Sequence, residues 1–489
     1  MLHLKTVDVK TVKIDTLIIP VCEDKEIHDN NVLSSMVKQA KKLKEFKGKK
    51  GDEVTLYNIS GTKIGRAIFI GMGKVGKIDA EALRSFAGKG VKKCINNEVA
   101  EVCIAAPEAS KVNLDEPILF ESIMEGACLG NHVFDKYKKE KKQQSLKKIN
   151  FIVKKAAVRK FNRLPAKVLA VCQGTIQARE WVSTPPNDKR PDQFARSISA
   201  LSRKQGLKVK VFGEKELKQQ KFGSLLAVSA GSRSKPRMVV LEHRPKNAKK
   251  TIVLVGKGVT FDSGGINLKP SGSLEDMKTD MSGAAAVAAT LIAAAKLNIK
   301  KNIVGVMPIV ENMPSGDASR PGDIVKSYEG KTVEIGNTDA EGRLILIDAM
   351  AWAVKKFKPY TIIDIATLTG ACMIALGEKI AGLFSFDDKL AQDILDSADK
   401  TYERCWRLPL PNDYKDLLKS DLADIKNISS TRYGGAITGA LFISEFVEDQ
   451  RWAHIDIAGP ASSTKANAYC NSGGTGFGVR LFCDLLEKL

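Results

Sequence analysis

Short apolar runs alternate with longer amphipathic stretches over residues 1–160. The runs Leu17–Pro20, Arg66–Ile70 and Glu101–Ala105 are rich in β-branched residues and predict buried strands. The stretches with helical spacing are Ser34–Phe46, Asp79–Cys94 and Ile118–Leu129. Strands that alternate with helices in this way predict an α/β domain.

A helical pattern over residues 164–182 ends at the segment 183–187, where two prolines stop the helix. Because 489 residues are too many for one hydrophobic core, we interpret this helix as a connection between two domains. The predicted division is a small N-terminal α/β domain at 1–163, a connecting helix at 164–186 and a larger domain at 187–489.

Five short apolar runs predict the central sheet of the larger domain. They are Met238–Glu242, Thr251–Val255, Asn302–Ile309, Thr361–Ala366 and Trp452–Ile457. Helical segments separate these runs, so we expect a mixed, largely parallel sheet flanked by helices. Ligands bind beyond the carboxyl ends of the strands in such sheets, and the polar motifs of the chain fall there.

The composition is that of an ordinary soluble protein, with 43% hydrophobic and 27% charged residues. The small-apolar run Gly283–Leu297 is shorter than the roughly 18 residues that a membrane span needs, so it predicts a buried helix. Residues 1–16 carry charges throughout and lack the apolar core of a secretory signal. The nine cysteines are scattered, form no C-x-x-C pair and are odd in number, which favours a reduced, cytoplasmic setting.

The charge balance is basic, with 77 lysines and arginines against 56 aspartates and glutamates, a net charge of +21. The excess is concentrated in the runs Lys38–Lys50, Lys136–Lys148 and Lys154–Arg163. Such runs form either a surface that binds nucleic acid or the solvated face of a soluble protein. The second interpretation is the commoner one, and we prefer it.

The first polar motif, 257–265, follows the strand-like run Thr251–Val255. Asp262 offers a hard oxygen donor at a strand end, and Gly264-Gly265 lets the backbone turn sharply and a ligand approach. Three further polar residues come next in the chain: Lys269, Asp276 and Asp280. The alternative is structural, because an aspartate beside glycines often forms a turn or caps a helix.

The second polar motif, 337–344, leads from the strand-like Lys331–Ile335 into an apolar helix. Asp339 and Glu341 are two residues apart, and in an extended segment this spacing points both carboxylates to one side. Carboxylates so close repel unless a cation lies between them. The alternative is a capping arrangement at the start of the helix.

Together the two motifs supply four carboxylates and two lysines: Asp262, Asp280, Asp339, Glu341, Lys257 and Lys269. Oxygen-rich sites suit Mg²⁺ or Mn²⁺, and Zn²⁺ also accepts carboxylates. Carboxylates that can bridge indicate two ions about 3.5–4 Å apart.

These motifs resemble those of the cytosolic leucyl aminopeptidase family of metallopeptidases. NTDAEGRL at 337–344 is the signature octapeptide of that family, and GKGVTFDSGG at 256–265 also matches. The other similar stretches are 183–187, 269–281, 365–371, 433–438, 454–459 and 474–480. The resemblance covers essentially all of 165–489 and is weaker over 1–160, where 66–89 and 121–139 are similar.

The resemblance implies a two-metal peptidase that removes N-terminal residues from peptides. One ion, Mn²⁺ or Zn²⁺, would be held by Asp262, Asp339 and Glu341. The other would be held by Lys257, Asp262, Asp280 and Glu341, so that Asp262 and Glu341 bridge the two ions. Lys257 would bind as a neutral amine, because two adjacent cations and partial burial lower its pKa.

The resemblance also assigns the chemical roles. A water that bridges the metals would be the nucleophile, and Lys269 would remain charged and stabilise the oxygen of the gem-diolate. Arg343 would hold a bicarbonate ion that acts as general base in place of a side chain. The pocket for the first side chain would be lined by Met277, Thr367, Gly370 and Ala458. The family is hexameric, so the resemblance implies a cytoplasmic homohexamer.

Three alternatives follow from other features of the sequence. The basic N-terminal surface would suit a nucleic-acid-binding protein, and a dipeptidase of different specificity would have the same metal ligands. The intact carboxylates argue against a purely binding role, because like charges destabilise the metal-free fold.

The segment 71–76 matches G-x-G-x-x-G, but Glu101–Ala105 is too distant to supply the acidic residue of a dinucleotide site. His454, on an apolar strand, is expected to be a hydrogen-bonded core residue.

Overall fold

The computed structural model describes residues 1–95, 99–141, 145–447 and 449–489. Within these ranges the chain forms two compact units. The first comprises Met1–Cys172 together with Lys465–Asn471, and the second comprises Gln173–Thr464 with Ser472–Leu489. The change of unit at Cys172 lies inside the predicted connecting helix, whereas the return of 465–471 to the first unit was not predicted.

The first unit contains strands and short to medium helices. The helices are α1 (Asn31–Lys41), α2 (Ala80–Ile95), α3 (Ala109–Val112), α4 (Glu116–Gly130) and α5 (Lys155–Lys160), and α6 (Leu164–Ser183) leads into the second unit. The strands are β1 (Leu2–Lys5), β2 (Ile14–Cys22), β3 (Glu53–Tyr57), β4 (Ile64–Gly73), β5 (Glu101–Ala105) and β6 (Lys148–Ile152).

The second unit contains the remaining elements. Its helices are α7 (Pro191–Lys204), α8 (Glu214–Gln219), α9 (Gly223–Ser229), α10 (Ser271–Leu274), α11 (Ser282–Leu297), α12 (Glu341–Phe357), α13 (Gly370–Leu376), α14 (Asp388–Thr401), α15 (Gly435–Ser444) and α16 (Val479–Lys488). Its strands are β7 (Lys208–Phe212), β8 (Arg237–His243), β9 (Thr251–Gly256), β10 (Gly258–Asp262), β11 (Asn302–Asn312), β12 (Ile324–Lys326), β13 (Thr332–Glu334), β14 (Thr361–Ala366), β15 (Ala381–Phe384), β16 (Cys405–Arg407), β17 (Ile425–Lys426), β18 (Trp452–Asp456), β19 (Ser462–Ser463) and β20 (Gly473–Gly474). Short 3₁₀ helices lie at Val75–Lys77, Pro186–Asp188, Met277–Thr279 and Asn412–Leu418.

The sheet of the first unit has the strand order β1-β6-β5-β2-β4-β3 within the described residues. All neighbours are parallel except β3, which runs antiparallel to β4. Leu17 and Ile19 of β2 pack in one cluster with α1, whereas Ile18 lies against Gly90 of α2. Helices therefore cover both faces of this sheet, as the α/β pattern predicted.

The segment 465–471 is part of the first unit because it packs against α2. The Lys92 ammonium donates to the carbonyl oxygen of Asn467 at 2.7 Å, and the Tyr469 hydroxyl donates to Glu81 at 3.0 Å. A Cβ atom on Gly88 would lie 2.6 Å from the Cβ of Tyr469. Glycine at position 88 thus allows the close approach of this segment to the helix.

The main sheet of the second unit has the order β16-β15-β18-β14-β9-β11-β8-β7, and β10 pairs with β11. Strands β18, β14, β9, β11 and β10 are mutually parallel, whereas β8 is antiparallel to β11. Val304 and Val306 of β11 share a core cluster with α12, and Gly305 lies against Val287 and Leu291 of α11. The predicted mixed, largely parallel sheet flanked by helices is confirmed.

Two predicted strands have the expected limits, and one predicted helix needs correction at both ends. The runs Glu101–Ala105 and Thr361–Ala366 are β5 and β14 residue for residue. Helix α1 begins earlier than predicted because the Asn30 side chain accepts hydrogen bonds from the backbone N–H groups of Val32 and Leu33. It ends at Lys41 and not at Phe46.

Two sequence features have structural explanations. A Cβ atom on Gly71 would lie 2.0 Å from the Lys49 carbonyl oxygen, so the close packing of the loop at Lys49 requires glycine at position 71. Strand β4 is followed by a 3₁₀ helix. The stretch Ser271–Leu297 is apolar enough to cross a membrane by composition, but 83% of its most apolar window is buried inside the protein. The predicted buried helix is therefore confirmed as α11.

Candidate metal centre

The candidate residues follow the carboxyl ends of neighbouring strands in the main sheet. Lys257 follows β9, Asp262 ends β10 and Thr367 follows β14. These strands are parallel to each other or to β11, so their carboxyl ends meet at one edge of the sheet. Asp280 and Glu341 come to the same edge from the N-terminal ends of α11 and α12.

Three carboxylates form the centre of the site. Asp262, Asp280 and Glu341 each offer one oxygen atom, and these atoms all lie within 4.8 Å of one another. The three residues are only 2%, 5% and 1% exposed. Buried like charges at this separation repel unless cations compensate them, so the arrangement fits metal ligation better than a simple turn.

Lys257 lies between two of these carboxylates. Its Nζ atom is 2.7 Å from Asp280 Oδ1 and 2.7 Å from Glu341 Oε1, and it donates to the Thr367 carbonyl oxygen at 2.8 Å. A Cβ atom on Gly342 would lie 2.6 Å from the Cε of Lys257. Glycine in the first turn of α12 therefore leaves the space that this lysine side chain occupies.

Lys269 lies between the carboxylates of Asp262 and Asp339. Its Nζ atom is 2.9 Å from Asp262 Oδ2 and 2.6 Å from Asp339 Oδ1. Asp339 does not belong to the three-carboxylate group, but it adjoins that group through Lys269. The structure thus places Lys269 together with the five predicted metal ligands.

Burial shifts the protonation of the carboxyl groups. It raises the pKa of Asp280 to about 6, raises the pKa of Glu341 well above its ordinary value and also raises the pKa of Asp339. Nearby carboxylates, Asp262 above all, add to this effect. Asp280, Asp339 and Glu341 are therefore ionised only against an electrostatic penalty that a bound cation would relieve.

Burial acts in the opposite direction on the two lysines, since it disfavours their charged form. The surrounding carboxylates outweigh this effect and raise the pKa of both Lys257 and Lys269. Lys257 is thus an ammonium in this arrangement. A neutral Lys257, as the family resemblance implies, requires cations that displace its proton.

The carboxylate oxygens and the lysine nitrogen suit a divalent metal for a reason other than their closeness. Asp280 Oδ2 is buried, and no described residue donates a hydrogen bond to it. A buried acceptor without a partner costs about 1–3 kcal/mol, and a metal ion would satisfy it. Carboxylate oxygens with one amine nitrogen are suitable ligands for Mn²⁺ or Zn²⁺.

The turn after Asp262 is anchored by hydrogen bonds and depends on glycine. Asp262 Oδ1 accepts from the Gly264 backbone N–H and from Asn312 Nδ2, both at 2.9 Å. Gly264 has φ +89°, and a Cβ atom there would lie 2.9 Å from Asp339 Oδ1. The turn-forming role considered for Asp262 is real, but it uses Oδ1 and leaves Oδ2 facing Lys269.

The expected geometry of the second motif is wrong in one respect. Asp339 lies in a turn and Glu341 begins α12, so the two carboxylates do not project from an extended segment. The alternative capping role is also wrong, because the N-cap residue is Ala340 and no side chain of the described residues caps the helix. The two carboxylates reach the site because the chain turns between them.

Arg343 lies in the first turn of α12 and is 7% exposed. Its Nη1 atom donates to the Asn427 carbonyl oxygen at 2.7 Å, and within the described residues its Nε atom has no hydrogen-bond partner. Burial lowers its pKa to about 10, against the opposing charges of Glu341 and Asp456. The guanidinium therefore stays charged at neutral pH and retains a donor for an anion.

The predicted pocket residues lie at the ends of elements of the second unit, and Thr367 contacts the centre directly. Thr367 follows β14, and its hydroxyl donates to Asp280 Oδ1 at 2.7 Å. Gly370 begins α13, Ala458 follows β18, and Met277 opens the 3₁₀ helix that ends just before Asp280.

Sequence reasoning missed Asp456, which holds two of these loops together. Its buried carboxylate accepts from the Leu368 backbone N–H at 3.1 Å, the Thr369 hydroxyl at 2.7 Å and the Ala458 backbone N–H at 3.1 Å. The signal was present, since an aspartate on an otherwise apolar strand must find partners. Its partners on another loop could not be read from the sequence.

Two asparagines were also missed. Asn312 Nδ2 donates to Asp262 and to the Thr338 carbonyl oxygen at 3.0 Å, which links the two polar motifs. Asn427 is fully buried, and its amide donates to the Asn337 carbonyl oxygen at 2.8 Å. No local pattern singles out either residue, because both act through contacts distant in sequence.

Comparisons with known proteins agree with this site. The catalytic-domain model of the cytosol aminopeptidase family matches residues 176–483, and its N-terminal-domain model matches residues 18–141. The probable cytosol aminopeptidase of Chlorobium limicola is 39% identical over 98% of both chains. That of Brucella melitensis is 43% identical over 90% of this chain and 91% of the relative.

A solved structure is similar over nearly the whole chain. The bottromycin maturation enzyme BotP in complex with Mn has a TM-score of 0.87 and 33% sequence identity, with 97% of this chain and 99% of that chain covered. The family match over both units, the cluster of buried carboxylates and this manganese-containing neighbour agree with one another. The chain therefore belongs to the cytosol aminopeptidase family and is a metal-dependent aminopeptidase.

Proposed function

We propose that this enzyme releases leucine and other N-terminal residues from peptides with two divalent ions, Mn²⁺ or Zn²⁺, bound per subunit. Asp262, Asp339 and Glu341 would hold one ion. Lys257, Asp262, Asp280 and Glu341 would hold the other, so that two carboxylates are shared. The observation that carries the proposal is the convergence of three buried carboxylates within 4.8 Å, with Asp339 joined to them through Lys269.

When bound, the metal ions would supply an activated water and polarise the scissile carbonyl group. The residues of the chain prepare the site for this chemistry. Asn312 and the Gly264 N–H fix the orientation of Asp262, and Gly342 leaves room for Lys257. Since the neighbouring carboxylates keep Lys257 charged, it would release a proton as it becomes a ligand.

Lys269 would stabilise the oxygen that becomes negative as the peptide bond is attacked. Its ammonium lies beside Asp262 and Asp339, and these carboxylates keep it protonated. Such a preorganised charge needs no rearrangement during the reaction. Arg343 would hold bicarbonate as the general base, and its buried guanidinium with an unused Nε donor suits a small oxyanion.

Met277, Thr367, Gly370 and Ala458 would line the pocket for the first side chain. Asp456 supports this assignment indirectly, because it fixes the backbone near Thr367 and at Ala458. We also propose a cytoplasmic homohexamer that acts on peptides, with the catalytic domain at 187–489, the connecting helix at 164–186 and the N-terminal domain at 1–163. Sedimentation of the purified protein tests the hexamer directly.

The test of the proposed function is a panel of aminoacyl substrates assayed after chelation and after addition of Mn²⁺, Zn²⁺ or Mg²⁺. Chelation should abolish hydrolysis, and Mn²⁺ or Zn²⁺ should restore it with leucyl substrates among those cleaved. Elemental analysis of the active enzyme should find two divalent ions per subunit. Full activity with a single ion, or cleavage restricted to one dipeptide, would contradict the proposal.

A further inference from the structure

The first unit contains a cavity of about 320 Å³ that lies outside the metal centre. It is lined by residues from the segments that follow four parallel strands. Val7 follows β1, Asp29 and Asn30 lie between β2 and α1, Glu108 follows β5, and Lys154 follows β6. This volume is within the range of about 300–1,000 Å³ that is typical of small-molecule sites.

The cavity lies where the topology of the sheet reverses. Strands β2 and β5 are neighbours, but the helices that follow them cover opposite faces of the sheet. Helix α1 packs with Leu17 and Ile19 on one face, whereas α4 packs on α2, which contacts Ile18 on the other. The chain segments after β2 and β5 therefore diverge and leave a crevice, which is the usual ligand position in such sheets.

The floor of the cavity is apolar. Leu33 of α1, Phe120 of α4 and Ala157 of α5 line it and are 4%, 7% and 5% exposed. The ring of Phe120 is held edge-on by Phe161, with the ring centroids 5.3 Å apart. An apolar group of a ligand would lose water contact on this floor.

The rim of the cavity is charged and balanced. Lys154 Nζ lies 2.8 Å from Asp29 Oδ2 and 2.8 Å from Glu108 Oε2, and Lys111 Nζ lies 2.7 Å from Asp29 Oδ1. The third lining carboxylate, Glu116, pairs with Lys160 at 2.8 Å. The three lining carboxylates thus pair with three lysines, of which Lys154 itself lines the cavity, so a phosphate or a metal ion would add charge without compensation.

The rim can still donate a hydrogen bond to an anionic group and accept one from a cationic group. Among the described residues Lys154 donates to two carboxylates, and an ammonium has three donors. Each carboxylate accepts up to about four hydrogen bonds, and Glu108 accepts from Lys154 through one oxygen. A ligand with one ammonium and one carboxylate would find a partner for each group and would leave the balance unchanged.

We propose that this cavity binds a free α-amino acid with an apolar side chain. The α-ammonium would contact Glu108 and Asp29, the α-carboxylate would contact Lys154, and the side chain would lie on Leu33, Phe120 and Ala157. Amino acids of this class are products of the reaction proposed above, but the binding does not depend on that activity. The site is in a different unit from the metal centre and can be measured on the metal-free chain.

The experiment is equilibrium dialysis of labelled L-leucine against the full chain after chelation. A single saturable site per chain is expected. Ala157→Phe fills the floor and should weaken binding at least about tenfold, whereas Ala156→Phe, an exposed position of the same helix, should not change it. Leucinamide and 4-methylpentanoate each lack one of the two charges and should compete at least about tenfold more weakly than leucine.

A second pair of variants covers the possibility that Ala157→Phe fails to fold. Lys154→Met should weaken leucine binding, and Lys155→Met, its exposed neighbour, should leave it unchanged. Absence of saturable binding to the metal-free wild type would overturn the proposal. Equal binding by both members of each pair would overturn it too, because leucine would then bind elsewhere. Competition by leucinamide or 4-methylpentanoate as strong as that by leucine would show that the site does not select a zwitterion.

Discussion

At the scale of single residues, Lys269 and Asp339 contact each other but are proposed to have different roles. Asp339→Ala should lower both metal content and turnover, because it removes a ligand. Lys269→Ala should retain both ions and lose about 10²–10³-fold in turnover, the usual effect of removing one contact to a developing oxyanion. Metal analysis beside steady-state kinetics distinguishes the two effects.

The control for both variants is Lys356→Ala, which removes an exposed lysine from α12. It should behave as wild type in both measurements. Near-normal turnover in Lys269→Ala would remove Lys269 from the catalytic residues. Loss of metal in that variant would make it a support of the site, since it also neutralises Asp262 and Asp339.

Gly342 provides a test of Lys257 that leaves the lysine itself unchanged. An added methyl group would lie 2.6 Å from Cε and 2.8 Å from Nζ of Lys257, so the lysine must move away from Asp280 and Glu341. Gly342→Ala should therefore reduce metal content and activity while helix α12 remains intact. Gly316→Ala, where a methyl group meets open space, is the control. Unchanged metal content in Gly342→Ala would show that Lys257 is not a required ligand.

Asp348 makes stability depend on pH. It is fully buried in α12 and accepts from the backbone N–H groups of Leu225 at 2.9 Å and Tyr328 at 2.8 Å, but burial outweighs these bonds and raises its pKa to about 7. An acid whose pKa is raised on folding stabilises the fold fully below its unfolded pKa of about 3.9, and this contribution is lost as pH rises to about 7. The unfolding free energy should thus fall by about 1.4 kcal/mol per pH unit in this window.

The measurement is urea unfolding of wild type and Asp348→Asn at about pH 5 and pH 7.5. Asparagine does not titrate, so the stability advantage of wild type should be about 2–3 kcal/mol larger at the lower pH. A pH-independent difference would mean that Asp348 is ionised in the core, where it would act as a hydrogen-bond acceptor for Leu225 and Tyr328.

At the scale of elements, α2 and α4 cross so closely at Gly126 and Gly130 that neither position has room for a side chain. A Cβ atom on Gly126 would lie 2.1 Å from the Arg84 carbonyl oxygen, and one on Gly130 would lie 2.7 Å from the Gly88 Cα. Gly126→Ala should therefore separate the helices and destabilise the first unit by several kcal/mol, above the usual range of about 1–3 kcal/mol for overpacking. Hydrogen exchange resolved along the chain measures this loss.

The matched control for the helix contact is Gly76→Ala, in the same unit with open space around the added methyl group. It should leave exchange unchanged. If Gly126→Ala were as stable as this control, the backbone of the two helices would have to be free to separate, contrary to the close contact described.

The elements themselves were largely predictable, because each depends on local pattern. Strand β14 is a short apolar run and was located without error, and α11 was identified as a buried helix from its alanine-rich composition. The order of the strands was not predictable. β1 pairs with β6 across more than a hundred residues, and nothing local at Leu2–Lys5 specifies that partner.

The metal centre was predictable for a different reason. The proposed ligands lie inside the two polar motifs, except Asp280, which follows the first, and the resemblance of these stretches to the family assigned them. The supporting residues Asn312, Asn427 and Asp456 were missed, because each acts on a motif from another element. The sequence thus indicates the groups that perform chemistry more readily than the groups that orient them.

At the scale of the whole molecule, the net charge of +21 calls for a test of nucleic-acid binding. The run Lys38–Lys50 is mostly exposed, and the run Lys136–Lys148 includes residues 142–144, which lie outside the described residues. If the basic residues form only a solvated surface, duplex DNA should bind weakly and be released near physiological salt. Fluorescence anisotropy across a salt series measures this, and sequence-selective binding at physiological salt would establish a second function.

The return of 465–471 to the first unit has a consequence for how the protein is made. A ribosome that has completed Met1–Cys172 must add about 290 residues of the other unit before it reaches this segment. At about 5–20 residues per second, that takes about 15–60 s. During this interval the surface of α2 near Gly88 has no Tyr469 to cover it. The nascent chain should therefore bind chaperones at this surface until residues 465–471 have been made, and a fragment that ends at Cys172 should remain bound.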